Sequence, residues 1–262
     1  MAIYMWRERP DYLCFTANTA NSTIRLEKNW SPTSVDIETS TDGATWSDYT
    51  FGTTINLVSV WDKVYFRNKS ATTTGFSTST SNYYKFAMWW WINCNWNINY
   101  LLNKNWTVTT LPSDYCFALL FYNCVPLATP PELPATTLKT WCYREMFRSC
   151  ANLTKAPKLI ASAVTNSCYY QMFYDCSALV ELPKLPAKTL QSTCYREMFS
   201  WCTKIKLSTT QTWAYQTAYR IPTTWTGTDY GNSTVYMFYN TWWTWQWGPT
   251  VNTTYYTSNT LV

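Results

Sequence analysis

Apolar residues recur along the middle of the chain with a period of 26 residues. In each copy two cysteines stand eight residues apart, with Met or Leu four residues and Phe five residues after the first of them. The two cysteine columns are Cys116, Cys142, Cys168 and Cys194, and Cys124, Cys150, Cys176 and Cys202. A fixed period in this range is typical of a solenoid, in which each unit, or rung, buries its apolar face only against its neighbours.

The two halves of each repeat predict different local structures. Apolar side chains at offsets 0, 1, 4, 5 and 8 from the first cysteine make one stripe, which predicts a short helix or helical turn. The second half carries prolines, which favour extended chain over helix. Leu133, Leu159 and Leu185 are expected to point inward from short strands that pair with the next rung, about 4.8 Å away.

The first third of the chain has the alternating pattern of short strands. Asp42-Gly43 predicts a turn between two of them. We therefore expect a small antiparallel β-sandwich or barrel. The predicted strands are residues 12–17, 23–27, 35–39, 53–58 and 63–67.

These patterns predict four segments. They are a β-rich amino-terminal domain (1–88), a transition and amino-terminal cap (89–110), four repeats (111–207), and a degenerate fifth repeat with a carboxy-terminal cap (208–262). The fifth repeat is predicted from Met237-Phe238, with Thr241 at the second cysteine offset. A last strand or hairpin is predicted within 251–262.

The repeat resembles a known family. The motif C-Y-x-x-M-F-x-x-C-x-x-L that begins at Cys142, followed by Pro157 and Leu159, is similar to the BspA-like leucine-rich repeats of gut-bacterial surface proteins and related phage genes. The resemblance covers roughly 111–207, and the amino-terminal third is similar to the β-rich segment that often precedes such repeats. It implies a mixed, β-rich fold: a sandwich-like domain followed by a helix/strand solenoid of 26-residue rungs. It also implies an extracellular, non-enzymatic adhesion surface.

Composition narrows the setting of the protein. Only 13% of the residues are charged, and the net charge of +5 is spread without a Lys/Arg run, so we expect no nucleic-acid partner. The sequence contains no run of 18 apolar residues, so we expect no membrane insertion. The segment from Met1 to Pro10 lacks an apolar core, so we expect no secretory signal peptide. These features favour an extracellular place on a virion, or else on a bacterial cell surface.

The chain has no histidine, which removes the commonest general base and the His-dependent nucleophile systems. Glu145 and Glu197 recur at one offset, each behind an arginine, and are better explained as solvent-face charge pairs than as catalytic acids. We therefore predict that the protein is not an enzyme. The predicted ligand-contact face is Arg144, Glu145, Tyr170, Gln171, Arg196 and Glu197.

No C-x-x-C motif occurs, and the spacing of paired cysteines does not match a zinc site, so no metal or other cofactor is predicted. Neighbouring rungs would bring equivalent cysteines within disulfide distance. We favour buried, reduced thiols over disulfides, since each copy keeps the same inward offset. Cys14 and Cys94, outside the columns, are predicted to be buried singly.

Tryptophan is abundant and glycine scarce: 17 Trp against 6 Gly. Trp30, Trp96 and Trp106 each follow Asn where hairpins usually have Asn-Gly, and Trp201 stands at a repeat offset held by Asn, Ser and Asp elsewhere. Trp89-Trp90-Trp91 and the Trp cluster at 242–245 resemble glycine-rich loops. One hypothesis is that these are UGA codons that the source organism translates as glycine. The other is that the tryptophans are genuine platforms for sugar rings.

The sequence as a whole predicts a non-catalytic recognition or adhesion protein. Its expected partner is a host glycan or protein, or a neighbouring virion subunit; self-association into a homo-oligomer is also considered. Two alternatives stay open. One is a purely structural virion subunit with the repeats as spacer, and the other is a carbohydrate-binding module that uses the Trp-rich loops.

Overall fold

The computed structural model describes residues 12–30, 35–70, 75–103, 108–220, 232–241 and 254–262. Within these residues the chain is β-rich, with twelve short strands and one 3-10 helix, Ile98–Leu101. The predicted β-rich class is confirmed. The strands are β1 Leu13–Ala17, β2 Ser22–Asn29, β3 Ile37–Ser40, β4 Ser47–Asp48, β5 Ile55–Leu57, β6 Lys63–Asn68, β7 Tyr83–Trp89, β8 Ile92–Asn95, β9 Leu127–Thr129, β10 Leu207–Ser208, β11 Thr217–Arg220 and β12 Thr254–Thr257.

The amino-terminal strands form two sheets whose buried faces meet. One sheet has the order β4-β3-β6-β1-β8-β9 and is antiparallel except for the β8–β9 pair; the other is the antiparallel sheet β5-β2-β7. Inward and outward side chains alternate along β2 and β7, as expected of strands with one buried face. Phe86 of β7 lies against Phe15 of β1 and Phe66 of β6, with ring centroids 4.6 and 5.2 Å apart.

All five strands predicted in the first 70 residues are present, with ends shifted by at most two residues. The turn at Asp42-Gly43 is also present, and Gly43 has a φ of 76°. Strand β12 lies within the predicted carboxy-terminal segment and pairs with β10 and β11. Strands β4, β7, β8, β10 and β11 were not predicted.

The first halves of the repeats stack on one another through main-chain hydrogen bonds. We call this part of the molecule the turn ladder; it comprises residues 115–124, 141–150, 167–176, 193–202 and 233–241. In the second copy the Glu145 and Phe147 amides donate to the carbonyls of Tyr170 and Met172 in the next copy, both at 2.9 Å. Within the copy, the Cys150 amide donates to the Phe147 carbonyl three residues back, at 3.1 Å.

The helix predicted for this half-repeat is wrong. Every fourth residue has a positive φ, as at Trp141 (59°), Glu145 (53°) and Ser149 (59°). A right-handed helix needs negative φ throughout, so each of these residues interrupts it. The half-repeat is instead a series of tight turns, and its four-residue spacing of inward side chains is the period of those turns.

The second half of each repeat is extended, but little of it is regular strand. In the first three copies only β9 is a strand there, and β10 begins in the fourth; elsewhere the chain meets its neighbour at isolated parallel bridges, Thr110 with Thr137 and Lys155 with Glu181. In the first three copies Pro131, Pro157 and Pro183 each remove a main-chain donor, which limits a continuous ladder. The predicted strands are thus replaced by bridged, extended chain. The three predicted inward leucines are all buried: Leu133, Leu159 and Leu185.

The buried side chains form one continuous core that runs from the amino-terminal sheets into the turn ladder. Its axis is a column of phenylalanine rings with centroids 5.4 to 5.6 Å apart and planes within 19° of parallel. The predicted burial of the Met and Phe side chains in the second to fourth copies is confirmed. The rings of the column are Phe86, Phe121, Phe147, Phe173, Phe199 and Phe238.

Residues 233–241 stack on the fourth copy in the register of the repeat. The amides of Tyr195 and Phe199 donate to the carbonyls of Ser233 and Met237, both at 2.9 Å. Met237 and Phe238 are buried where the template has Met and Phe. A fifth copy is therefore present, although Ser233, at the offset of the first cysteine, follows Cys194 by 39 residues instead of 26.

Candidate functional site

The outward side chains of the turn ladder form a continuous polar and aromatic surface. The turns fix which side chains these are, since the offsets between the buried Cys, Met and Phe positions face away from the core. We call this surface the Arg-aromatic face. It comprises Tyr122, Trp141, Arg144, Glu145, Arg148, Tyr170, Gln171, Tyr174, Arg196 and Glu197.

A chain of hydrogen bonds crosses three successive copies on this face. Arg144 Nε donates to Glu145 Oε1 at 2.8 Å, and an Arg148 guanidinium nitrogen donates to Glu145 Oε2 at 2.9 Å. The same Arg148 nitrogen donates to Gln171 Oε1 at 2.9 Å. The Gln171 amide donates to Glu197 Oε2 at 2.6 Å, and Arg196 Nε donates to Glu197 Oε1 at 3.1 Å.

Aromatic rings hold the two central guanidinium groups. The Arg144 guanidinium lies 4.6 Å from the Trp141 ring centroid and 4.7 Å from that of Tyr170. The Arg148 guanidinium lies 4.7 Å from the Tyr174 ring centroid and 5.9 Å from that of Tyr122. These distances are within the range of cation–π attraction. The stacking and the hydrogen bonds together fix side chains that would otherwise be mobile.

The face brings together all six residues that the sequence predicted. Five share the hydrogen-bonded chain, and Tyr170 joins it through its contact with Arg144. Sequence reasoning missed Arg148, which occurs in one copy only. A signal was present, because the column Tyr122, Arg148, Tyr174 alternates aromatic and arginine side chains.

Charges on the face nearly balance, because three arginines stand beside two glutamates. Glu145 and Gln171 are both buried among their partners, so the prediction of a solvent-face charge pair is wrong for Glu145. Burial raises the pKa of the Tyr170 hydroxyl, and the neighbouring Glu197 carboxylate raises it further. Tyr170 therefore stays neutral near pH 7 and can donate a hydrogen bond. The face offers fixed donors, acceptors and ring edges, without an activated nucleophile.

All ten cysteines are buried, and none is in a disulfide. In the second column the thiols of the second to fourth copies donate to a main-chain carbonyl of the preceding copy, such as Cys150 to Phe121 O at 3.1 Å and Cys176 to Phe147 O at 3.0 Å. The Cys124 thiol donates to the Phe86 carbonyl of β7. Burial raises the pKa of the Cys142 thiol to about 12. The favoured arrangement of buried, reduced thiols is the one observed.

We expect these thiols to be inert in the folded protein, because the reactive species is the thiolate and burial suppresses it. Under native conditions at pH 7.5, iodoacetamide should leave Cys142, Cys150, Cys168 and Cys176 unmodified, whereas in guanidinium chloride all four should react. Peptide mass spectrometry gives the modified fraction at each position. Rapid modification of the native protein would contradict the prediction.

The described residues contain no group of three His, Cys, Asp or Glu side chains placed to hold a metal ion. In the part of the chain that the structure describes, no helix has the length and apolar character needed to cross a bilayer.

Three of the four tryptophans singled out in the sequence have positive φ: Trp30 at 58°, Trp96 at 71° and Trp201 at 64°. Trp106 lies outside the described residues, as does the cluster at 242–245. The Trp30 and Trp201 side chains are exposed, whereas Trp96 is half-buried. Positive φ at a bulky side chain is uncommon, so Trp30 and Trp96 favour the glycine hypothesis. Trp201 does not, because Asn123, Ser149 and Asp175 have positive φ at the same repeat offset.

Comparison of the chain with protein-family models, with curated proteins and with solved structures finds no match.

Proposed function

We propose that this chain is a non-catalytic recognition protein exposed on a virion or bacterial surface. In this proposal the stacked copies are a short solenoid of the BspA-like leucine-rich-repeat type, and the Arg-aromatic face contacts the partner. The observation that carries it is the hydrogen-bonded and stacked chain from Arg144 to Glu197 across three copies. A surface fixed in this way loses little side-chain entropy on binding.

A protein partner fits this face better than a glycan does. Tyr, Trp and Arg are the residue types that contribute most to protein interfaces. Sugar binding by aromatic residues needs an open ring face. The Trp141 ring instead stacks on Tyr115, with centroids 5.9 Å apart and planes at 9°, and also contacts Arg144. The ring is thus already in contact with other side chains, and guanidinium donors beside aromatic rings suit a protein surface.

The partner is either a protein on the surface of the host cell or a neighbouring virion subunit, since both offer the same chemistry. Cell binding by the isolated protein distinguishes them. If the partner is a host receptor, the isolated protein should bind whole cells from the microbial community in which its gene occurs. If the partner is a virion subunit, the isolated protein should not bind cells and should instead be found assembled on virions. That result would support the structural alternative, in which the repeats act as a spacer.

Replacing both central arginines by lysine tests the proposal. Arg144→Lys with Arg148→Lys keeps both positive charges but removes the planar groups that stack on Trp141, Tyr170 and Tyr174. Loss of a central interface contact of this kind costs about 2 kcal/mol or more, so we expect binding of the labelled protein to source-community cells to weaken by about 30-fold. Flow cytometry measures the apparent affinity.

Lys158→Arg is the matched control, because it is an equally conservative change at an exposed residue in the other half of a repeat. Protease treatment of the cells should abolish binding, and periodate treatment should leave it unchanged. Equal binding by the double variant and the original protein would refute the role of the face. Loss of binding on periodate treatment alone would show that the ligand is a glycan.

A further inference from the structure

Among the described residues outside the turn ladder, positive φ is confined to glycine, asparagine and tryptophan. Among the described residues, the non-glycine residues with positive φ there are Asn21, Trp30, Trp61, Trp90 and Trp96; the glycines are Gly43 and Gly52. Glycine adopts this backbone conformation without penalty and asparagine tolerates it, whereas a large side chain is an outlier. Tryptophan thus occupies the backbone role of glycine in this part of the molecule.

Trp61 shows the requirement most clearly. The Asp62 amide donates to the Ser59 carbonyl at 3.2 Å, which closes a four-residue turn with Trp61 at its third position. Trp61 has a φ of 76°, whereas Val60 before it is not in the positive region. This is the pattern of a type II turn, whose third position calls for glycine.

The other three positions are also at strand ends. Trp30 directly follows β2, Trp90 lies between β7 and β8, and Trp96 directly follows β8. Their φ values are 58°, 65° and 71°. Trp30 and Trp96 each come after Asn, and Asn-Gly is among the commonest pairs in tight turns.

The side chains at the most exposed of these positions do little packing. Trp30 is 80% exposed, Trp61 71% and Trp90 54%. A large aromatic side chain in a selected core or interface normally buries most of its area. Here the backbone conformation favours glycine, and most of the Trp30 and Trp61 side-chain surface lies in solvent.

Trp46 behaves as a genuine tryptophan should. Its φ is not positive, and its ring lies 3.9 Å from the Arg67 guanidinium and 4.5 Å from the Tyr12 ring. Trp46 thus differs from the four tryptophans at positive φ, whereas Trp89 and Trp91 are exposed without positive φ. Positive φ at Trp141 and Trp201 is no sign of glycine, because Tyr, Leu and Glu also have positive φ at other positions of the turn ladder.

We infer that the natural polypeptide carries glycine at positions 30, 61, 90 and 96, and tryptophan at position 46. A gene in which UGA encodes glycine, translated instead with UGA as tryptophan, produces this pattern, including 6 Gly against 17 Trp. Under this inference the exposed tryptophan loops are not a sugar-binding platform. The carbohydrate-binding alternative then loses its basis, whereas the Arg-aromatic face is unaffected.

One tryptic peptide of the naturally produced protein contains both kinds of position. Cleavage after Lys28 and Lys63 releases residues 29–63, with positions 30, 46 and 61. Tandem mass spectrometry should find glycine at 30 and 61 and tryptophan at 46. The peptide of residues 86–104 should carry glycine at 90 and 96. The gene should have UGA at these four positions and UGG at 46. Tryptophan at 30 and 61 in the natural peptide would overturn the inference.

Stability of the recombinant all-tryptophan protein supplies a second measurement. Trp61→Gly should raise the Tm, because it relieves the backbone at the type II turn. Trp46→Gly is the matched control and should lower the Tm, because it removes the contacts with Arg67 and Tyr12. A fall in Tm for both variants would count against glycine at position 61.

Discussion

Raising the pH from 8 to about 10 is expected to unfold this protein, because its buried cysteines cannot ionise while it is folded. The eight thiols of the two columns all have a pKa raised by burial; for Cys124, Cys142 and Cys194 the value is about 12. In the unfolded chain the same thiols have an ordinary pKa of 9.0. Above that pH the unfolded state releases protons that the folded state retains.

The direction follows from which state binds more protons. Below pH 9 both states keep their thiols protonated, so this contribution to stability is fully present. Between about pH 9 and 12 only the unfolded chain ionises, and the free energy of unfolding falls as the pH rises. At pH 10, ionisation of each thiol in the unfolded chain lowers the free energy of unfolding by about 1.4 kcal/mol. Eight such thiols lower it by an amount on the order of 10 kcal/mol. Total stabilities of 5–15 kcal/mol are typical of proteins, so the loss is decisive.

Urea unfolding at pH 7, 8, 9 and 10, with a reductant present to prevent oxidation, measures this dependence. We expect equal stability at pH 7 and 8 and a steep fall above pH 9. Cys142→Ala serves as the control variant: its lower stability at pH 7 should be accompanied by a shallower fall at high pH, since one ionising thiol is gone. Unchanged stability between pH 8 and 10 would contradict the buried state of the columns.

Much of the amino-terminal half was predictable because its strands obey simple alternation. Ile24 and Leu26 of β2 alternate with polar residues, and both are buried. Strand β7 has the same pattern in Tyr84, Phe86 and Met88, but it leads directly into Trp89-Trp90-Trp91. The sequence predicted a loop at the three tryptophans but assigned residues 89–110 to a transition, so the strands on either side of the loop were missed.

The turn ladder could not be assigned correctly from spacing alone. Apolar residues four apart, such as Cys142, Met146 and Cys150, fit one face of a helix as well as a run of four-residue turns. The difference lies in backbone conformation, and ordinary residues such as Glu145 stand at the positive-φ positions. Stacking of equivalent residues between copies supplies the hydrogen bonds that hold them there.

The six residues of the predicted face lie together in the structure, but the sequence did not predict how they contact one another. Equal offsets identified Glu145 and Glu197 as one column, which predicted that they lie on the same side. The pairing of Arg148 with both Glu145 and Gln171 depends on side-chain reach across two copies. A repeat template predicts columns, whereas contacts between different columns require the three-dimensional structure.

Phe173→Ala is expected to destabilise the protein by about 3–5 kcal/mol, the usual cost of removing a buried phenylalanine ring. Phe173 lies in the middle of the phenylalanine column, with centroids 5.5 Å from Phe147 and 5.6 Å from Phe199. Both neighbours are held by their own hydrogen-bonded copies, so they cannot move to fill the cavity. Urea unfolding should show a lower midpoint with an unchanged slope.

Phe51→Ala is the matched control, because Phe51 is only partly buried at the edge of the core and should cost clearly less. A loss below about 1 kcal/mol for Phe173→Ala would mean that the column is not closely packed.

The column also predicts that the sheets and the repeats unfold cooperatively. It begins at Phe86 in the amino-terminal sheets and ends at Phe238 in the fifth copy, so a cavity at its centre should lower the stability of both regions together. Two separate transitions, of which only one shifts in the variant, would show that the rings stack without coupling the sheets to the repeats.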